Sequence, residues 1–132
     1  MLIAVDINGS LDAAPGQLGP LLRAARAAGH HVSIITGTPN EDTNDPKTAW
    51  ATKVQQLTGL DCGDVWDDMT VVTAPEGPEL AAAKAQWCKD NGAAVLIDND
   101  RGNCTAAVEA GVPLAICPWA TRVGNASDGL GV

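Results

Sequence analysis

Residues 1–12 read MLIAVDINGSLD: an apolar run, Leu2 to Val5, that stops on Asp6 and passes into Ile7, Asn8, Gly9 and Ser10. A run this short and this continuously apolar reads as a strand covered on both faces, because a strand with one wet face alternates apolar and polar residues. Strands of that kind belong to parallel sheets sandwiched between helices, so the stretch decides the fold class if the rest of the chain supplies partners. An acid at its end marks the edge where the strand meets solvent.

The partners follow. Leu18, Leu21, Leu22 and Ala25 recur at helical spacing between Gln17 and Ala28, with Gly29 as the stop, and HVSIIT (31–36) reads as a second strand. Asp45 before Pro46 predicts a helix N-cap, and that helix should run to about Thr58 before Gly59 ends it. MTVVT (69–73), AAVLID (93–98) and PLAIC (113–117) read as three further strands, separated by helices from Gly77-Pro78 through Lys89 and over 103–110. Strand and helix alternate throughout, which predicts a doubly wound, Rossmann-like three-layer α/β domain over residues 1–118 with a parallel sheet of about five strands. A Gly-rich tail, 119–132, would complete the chain. Asp6, Thr36 and Asp98 each close a predicted strand, so the topology sends all three to the carboxyl edge, where such sheets bind ligands.

Composition narrows the function classes. With 132 residues the chain suits one domain of ~100–200 residues. It contains no Phe or Tyr, so the core must be built from Ala, Val, Leu, Ile and four Trp, packed closely. A formal net charge of −8 repels phosphate backbones and anionic membranes. Nucleic-acid binding would need a bound Mg²⁺ or a local basic cluster to offset that field. Cys62, Cys88, Cys104 and Cys117 form no C-x-x-C pair and read as reduced, mostly buried thiols. The N-terminal apolar run is too short for a signal sequence or a membrane span, and a cytoplasmic protein is expected.

Four stretches together resemble a known family. VDINGSL is similar to the first motif of the haloacid dehalogenase-like hydrolases, D-x-D-G-T, and VSIIT (32–36) resembles the second, a strand ending in Thr or Ser. Lys84 stands where the lysine of the third motif is expected, and VLIDNDRGNCTAAVEAGV resembles the fourth, an apolar strand ending in paired acids. The resemblance covers about residues 1–117. It implies a Mg²⁺-dependent phosphatase working through an aspartyl-phosphate, with Asp6, Asn8 and Lys84 in the catalytic positions. Thr36, Gly37 and Lys84 would bind the phosphoryl group, and Asp6, the Asn8 carbonyl and Asp98 would hold the metal. Neither inter-motif gap has room for a lid domain, so a cap-less, open cleft is implied, suited to a large or extended phosphorylated substrate or to closure by a second subunit in a homo-oligomer.

Two departures bear on activity. Asn8 replaces the general acid/base, and an amide exchanges no proton at neutral pH, which costs roughly 10²–10⁴ in rate. Asn99 replaces the second acid of the fourth motif, leaving Asp100 as the acid that could turn inward. The alternative is a non-catalytic phosphate- or metal-binding module. Blander readings stand beside these: Asp6 to Gly9 as a simple turn, Lys84 as a solvated helix lysine, Asp98 to Asp100 as a helix cap, the acidic run DCGDVWDD (61–68) as a solvated loop, and His30-His31 as a strand entry. An EF-hand over 98–109 fails because Asn103 holds its glycine position, and a dinucleotide fold fails because DINGSLD has one glycine.

Overall fold

Both faces of the sheet are covered by helices, as the apolar strands require. The computed structural model describes residues 1–38 and 46–119. Its five strands, β1 (Leu2–Val5), β2 (His31–Thr38), β3 (Asp68–Thr73), β4 (Ala93–Ile97) and β5 (Leu114–Ile116), are all parallel and lie in the order β3-β2-β1-β4-β5. The helices are α1 (Pro15–Ala27), α2 (Pro46–Gly59), α3 (Pro78–Asn91) and α4 (Arg101–Glu109). The order runs outward from β1 through β2 to β3, then returns to the other side of β1 for β4. That reversal opens a crevice between the carboxyl ends of β1 and β4.

Alternation along the strands builds two cores. Ile3, Val5, Val32, Ile34, Val95 and Ile97 face one side, where they meet Leu22 of α1 and Leu57 of α2. Ala4, Ile35 and Leu96 face the other, against Cys88 of α3 and Ala107 of α4. The second core is rich in alanine, which lets α3 and α4 approach closely and explains how a chain without Phe or Tyr fills its interior. On the α2 side, Trp50 meets Trp66 edge to face, with ring centroids 6.2 Å apart and planes at 79°.

Several boundaries differ from expectation. The predicted first loop contains a single wide turn over Ile7–Leu11, closed by bonds from the Leu11 N–H to the Asp6 carbonyl (3.3 Å) and from the Asp12 N–H to the Ile7 carbonyl (3.0 Å). β2 continues past Thr36 to Thr38, because β3 pairs with it that far. α2 runs through Gly59, and the left-handed residue that turns the chain is Asp61 at φ 57°. α4 starts at Arg101, two residues early, because Asp100 accepts the Asn103 N–H at 3.0 Å as its N-cap. The expected Asp45 cap and the tail after Trp119 lie outside the described residues.

The acidic run 61–68 keeps its acids exposed, as expected of a solvated loop, and is also tied down by ion pairs. Arg23 of α1 donates from Nε to both Asp64 carboxylate oxygens at 3.0 Å, and Arg26 donates to Asp67 Oδ1 at 2.9 Å. Asp67 Oδ2 in turn accepts the Val32 N–H at 2.8 Å. Cys62 and Val65 are buried beneath these ion pairs. The run pins α1 to the entrance of β3. Among the described residues no helix is long and apolar enough to cross a membrane.

Candidate functional site

The crevice between β1 and β4 holds the side chains that the topology sends there. Asp6 follows β1 directly, its N–H bonded to the Ile97 carbonyl at 2.9 Å, and Asp98 follows β4, its N–H bonded to the Ile116 carbonyl at 3.0 Å. Both backbones are thus fixed by the sheet ladder continuing one residue past the strands. Lys84 reaches between them from α3: its Nζ lies 2.9 Å from Asp6 Oδ1 and 2.9 Å from Asp98 Oδ2. Lys84 is 2% exposed, so the solvated-lysine reading fails, and Asp6 (6%) and Asp98 (1%) are buried with it. Asp98 is held further by the Asn103 amide at 3.1 Å and the Asp100 N–H at 2.9 Å.

The electrostatics follow from two carboxylates sharing one ammonium in a dry place. Burial pushes the Asp6 carboxyl up to about 6; Lys84 pulls it down and Asp98 pushes it up. Burial works against the charge on Lys84, yet Asp6 and Asp98 together raise its pKa above the ordinary lysine value. The triad carries a net −1 with all three groups ionised.

Around it the cleft encloses about 130 Å³ and is lined by Asn8, Thr36, Gly37, Glu76, Leu80 and Asn99 besides the triad, with Asp100 and Asn103 at one side. The six expected site residues, Asp6, Asn8, Thr36, Gly37, Lys84 and Asp98, therefore share one cavity. Thr36 sits inside β2 and not at its end, and its hydroxyl donates to the Gly37 carbonyl over a long 3.5 Å. Asp100, at the side of the cleft, uses Oδ1 to cap α4.

Other residues join the site without a sequence motif to announce them. Ser10 accepts the Asn99 N–H at 2.9 Å and donates to Asp6 Oδ2 over a long 3.4 Å. Gln56 of α2 donates to the Asn8 side-chain oxygen at 2.8 Å. Lys53, also on α2, is 9% exposed and has no carboxylate paired with it among the described residues. Burial lowers its pKa, opposed by the charges of Asp6 and Asp12. Its signal was in the sequence: Ala49, Lys53 and Leu57 share one helix face, so a lysine interrupts a buried stripe.

As to a metal, among the described residues no three or more His, Cys, Asp or Glu side chains gather to hold one. What the cleft offers is a set of hard oxygens from two carboxylates and neutral carbonyls. Asp6 Oδ2 accepts from Ser10 Oγ over a long 3.4 Å, and Asp98 Oδ1 accepts the Asp100 N–H at 2.9 Å, so each carboxylate oxygen has lone-pair capacity beyond these bonds. That chemistry fits Mg²⁺, which takes one or two carboxylates and keeps several waters.

No family model matches the chain, and no curated protein sequence matches it. Solved structures do. A universal stress protein from Archaeoglobus fulgidus is similar with a TM-score of 0.55 at 13% identity, covering 88% of this chain and 92% of that one. A protein of the universal stress protein family from Burkholderia pseudomallei is similar with a TM-score of 0.55 at 18% identity, covering 89% of this chain and 95% of that one. At such identities the likeness is one of fold: a doubly wound α/β domain with a five-stranded parallel sheet.

These neighbours overturn the resemblance to haloacid dehalogenase-like hydrolases, and with it the expected phosphatase activity, since they are universal stress proteins and not Mg²⁺-dependent phosphatases. The physical reason lies in the topology. Any sheet of this order delivers polar residues near its strand ends to the same edge in the same sequence, so the gathering of Asp6, Thr36 and Asp98 is a consequence of the fold. The positions that would have marked hydrolysis, 8 and 99, carry amides.

Proposed function

We propose that the chain is a ligand-binding module whose carboxyl-edge cleft takes Mg²⁺ together with a small phosphorylated ligand. The observation that carries this reading is the charge balance of the buried triad. One ammonium serves two carboxylates, so the floor of the cleft is short of positive charge, and Asp6 Oδ2 faces that deficit with no close donor. A divalent cation supplies the missing charge and makes an acidic cleft attractive to phosphoryl oxygens.

In this reading Asp6, Asp98 and the Asn8 carbonyl hold the cation. The Thr36 hydroxyl, the Gly37 backbone and Lys53 receive the ligand, while Lys84 keeps the two carboxylates apart and oriented. Asn8, anchored by Gln56, ties α2 to the mouth. The neighbours are named for a stress response rather than for a hydrolytic reaction, which supports a binding role. The openness of the cleft supports a ligand whose outer part stays in solvent or meets a second copy of the chain.

Calorimetry tests this with Mg²⁺ alone and then with inorganic phosphate, in the presence of Mg²⁺ or of chelator. Phosphate should bind only with Mg²⁺ present; Asp6→Asn should weaken Mg²⁺ by about tenfold or more, and Thr36→Val should weaken phosphate alone. Equal phosphate affinity in chelator, or no Mg²⁺ uptake at millimolar concentration, would refute it.

A further inference from the structure

On the side of the sheet that carries α1, helix cover stops short of β5. A groove of about 460 Å³ lies there, floored by Ile3, Val95 and Ile97 and rimmed by Leu21 of α1 and by Leu114 and Ile116 of β5. The rim is exposed: Leu21 by 59%, Leu114 by 50% and Ile116 by 41%. No charged side chain lines the groove, in a chain whose formal net charge is −8. β5 is also the last strand of the sheet, with no neighbour on its outer side among the described residues. Ile116 turns its carbonyl inward to the Asp98 N–H at 3.0 Å. Successive residues of a strand aim their backbone groups to opposite sides, so Ala115 presents its N–H and C=O to the open edge.

An apolar face and a free strand edge thus meet along the same three residues, and together they are self-complementary. Two β5 strands set antiparallel about a two-fold axis at Ala115 exchange both Ala115 hydrogen bonds and place Leu114 opposite the partner's Ile116. Both side chains lie on the groove side, so the two grooves join into one apolar seam. Copies of a chain this acidic repel each other over most of their surface, but here neither brings a charged side chain. We propose that this face docks a second copy of the chain, by antiparallel pairing of the two β5 strands. The pairing points the two carboxyl edges in opposite directions. Each cleft therefore stays open, and association does not depend on the ligand.

Sedimentation of the full chain between about 1 and about 100 μM tests this. Wild type should pass from monomer to dimer within that range. Leu114→Glu sets a carboxylate against the partner's Ile116 and should weaken association about tenfold or more. Ala115→Pro removes an N–H that the sheet does not use, and an edge strand accepts proline, so it should keep the fold and weaken the pair by a similar factor. Circular dichroism checks that both variants fold. A second readout needs only the wild-type chain: by hydrogen exchange with mass spectrometry, the Ala115 amide should exchange about tenfold more slowly or more at about 100 μM than at about 1 μM. A chain that stays monomeric at about 100 μM overturns the proposal, whatever else covers the face. A dimer that both variants leave intact lies on another surface and overturns it too. Should a variant fail to fold, the exchange measurement decides, and exchange that concentration leaves unchanged counts against the pairing.

Discussion

Replacing Lys84 by methionine keeps the length of the side chain and removes its charge. Two buried carboxylates then face each other with no counter-ion, where Lys84 Nζ had been 2.9 Å from each. Removing one partner of a buried ion pair costs about 3–5 kcal/mol, a large share of the ~5–15 kcal/mol that holds a domain folded. For a chain of this length each kcal/mol moves the midpoint by about 3–5 °C, so Lys84→Met should melt about 10–20 °C lower.

The loss has a pH signature. Asp6 titrates at about 6 when folded against an ordinary 3.8, so between those values the folded chain binds a proton that the unfolded chain does not. Its contribution to stability therefore falls as pH rises through that window and stays low above it. Lys84 is what holds this carboxyl down; without it the folded form keeps its proton to higher pH, and the deficit of the variant deepens from about pH 5 to about pH 8. Urea unfolding followed by circular dichroism at both pH values measures this. A deficit below about 1 kcal/mol, or one equal at both pH values, would refute the argument that the triad is a charge-balanced unit.

Three further outcomes are expected. Gly9→Ala should lower stability by more than about 1 kcal/mol in calorimetric melts, because it combines a positive φ with a collision against Asn99. Asp67→Asn should cost about 1–2 kcal/mol at neutral pH and almost nothing in acid. The bond from Val32, with Arg26, holds the Asp67 carboxyl below its ordinary value, so its contribution is full above about pH 4 and fades as pH falls through the folded pKa; melts at neutral and acid pH check the sign. Burial raises Cys88 to about 11 and Cys104 to about 12, so a thiol reagent at about pH 8 should leave both unmodified, by mass spectrometry, until urea is added.

The fold was legible because its signals are local: Leu2–Val5, His31–Thr36 and Ala93–Ile97 are apolar runs that only a doubly covered sheet accepts. So was the gathering of Asp6 and Asp98, which follows from strand ends in a parallel sheet. What the sequence hid depends on contacts between distant elements. Asp64 and Asp67 read as solvated and are exposed, but their pairing with Arg23 and Arg26, from a helix some forty positions earlier, has no local signal. Asp100 reads as a site acid until the start of α4 claims it. Gln56 sits on an ordinary helix, and only the docking of α2 brings it to Asn8 at the cleft. The resemblance to a hydrolase failed for the opposite reason: it weighed a chain order of polar residues that the topology alone enforces.

The edge-to-face contact of Trp50 with Trp66 gives this chain a built-in optical probe. No tyrosine or phenylalanine dilutes its near-ultraviolet spectrum, and one ring of the coupled pair rides on the helix that also carries Lys53 and Gln56. Any tilt of that helix as the cleft fills would alter the coupling between the two indoles. Emission and near-ultraviolet dichroism can thus follow loading of the cleft without a label.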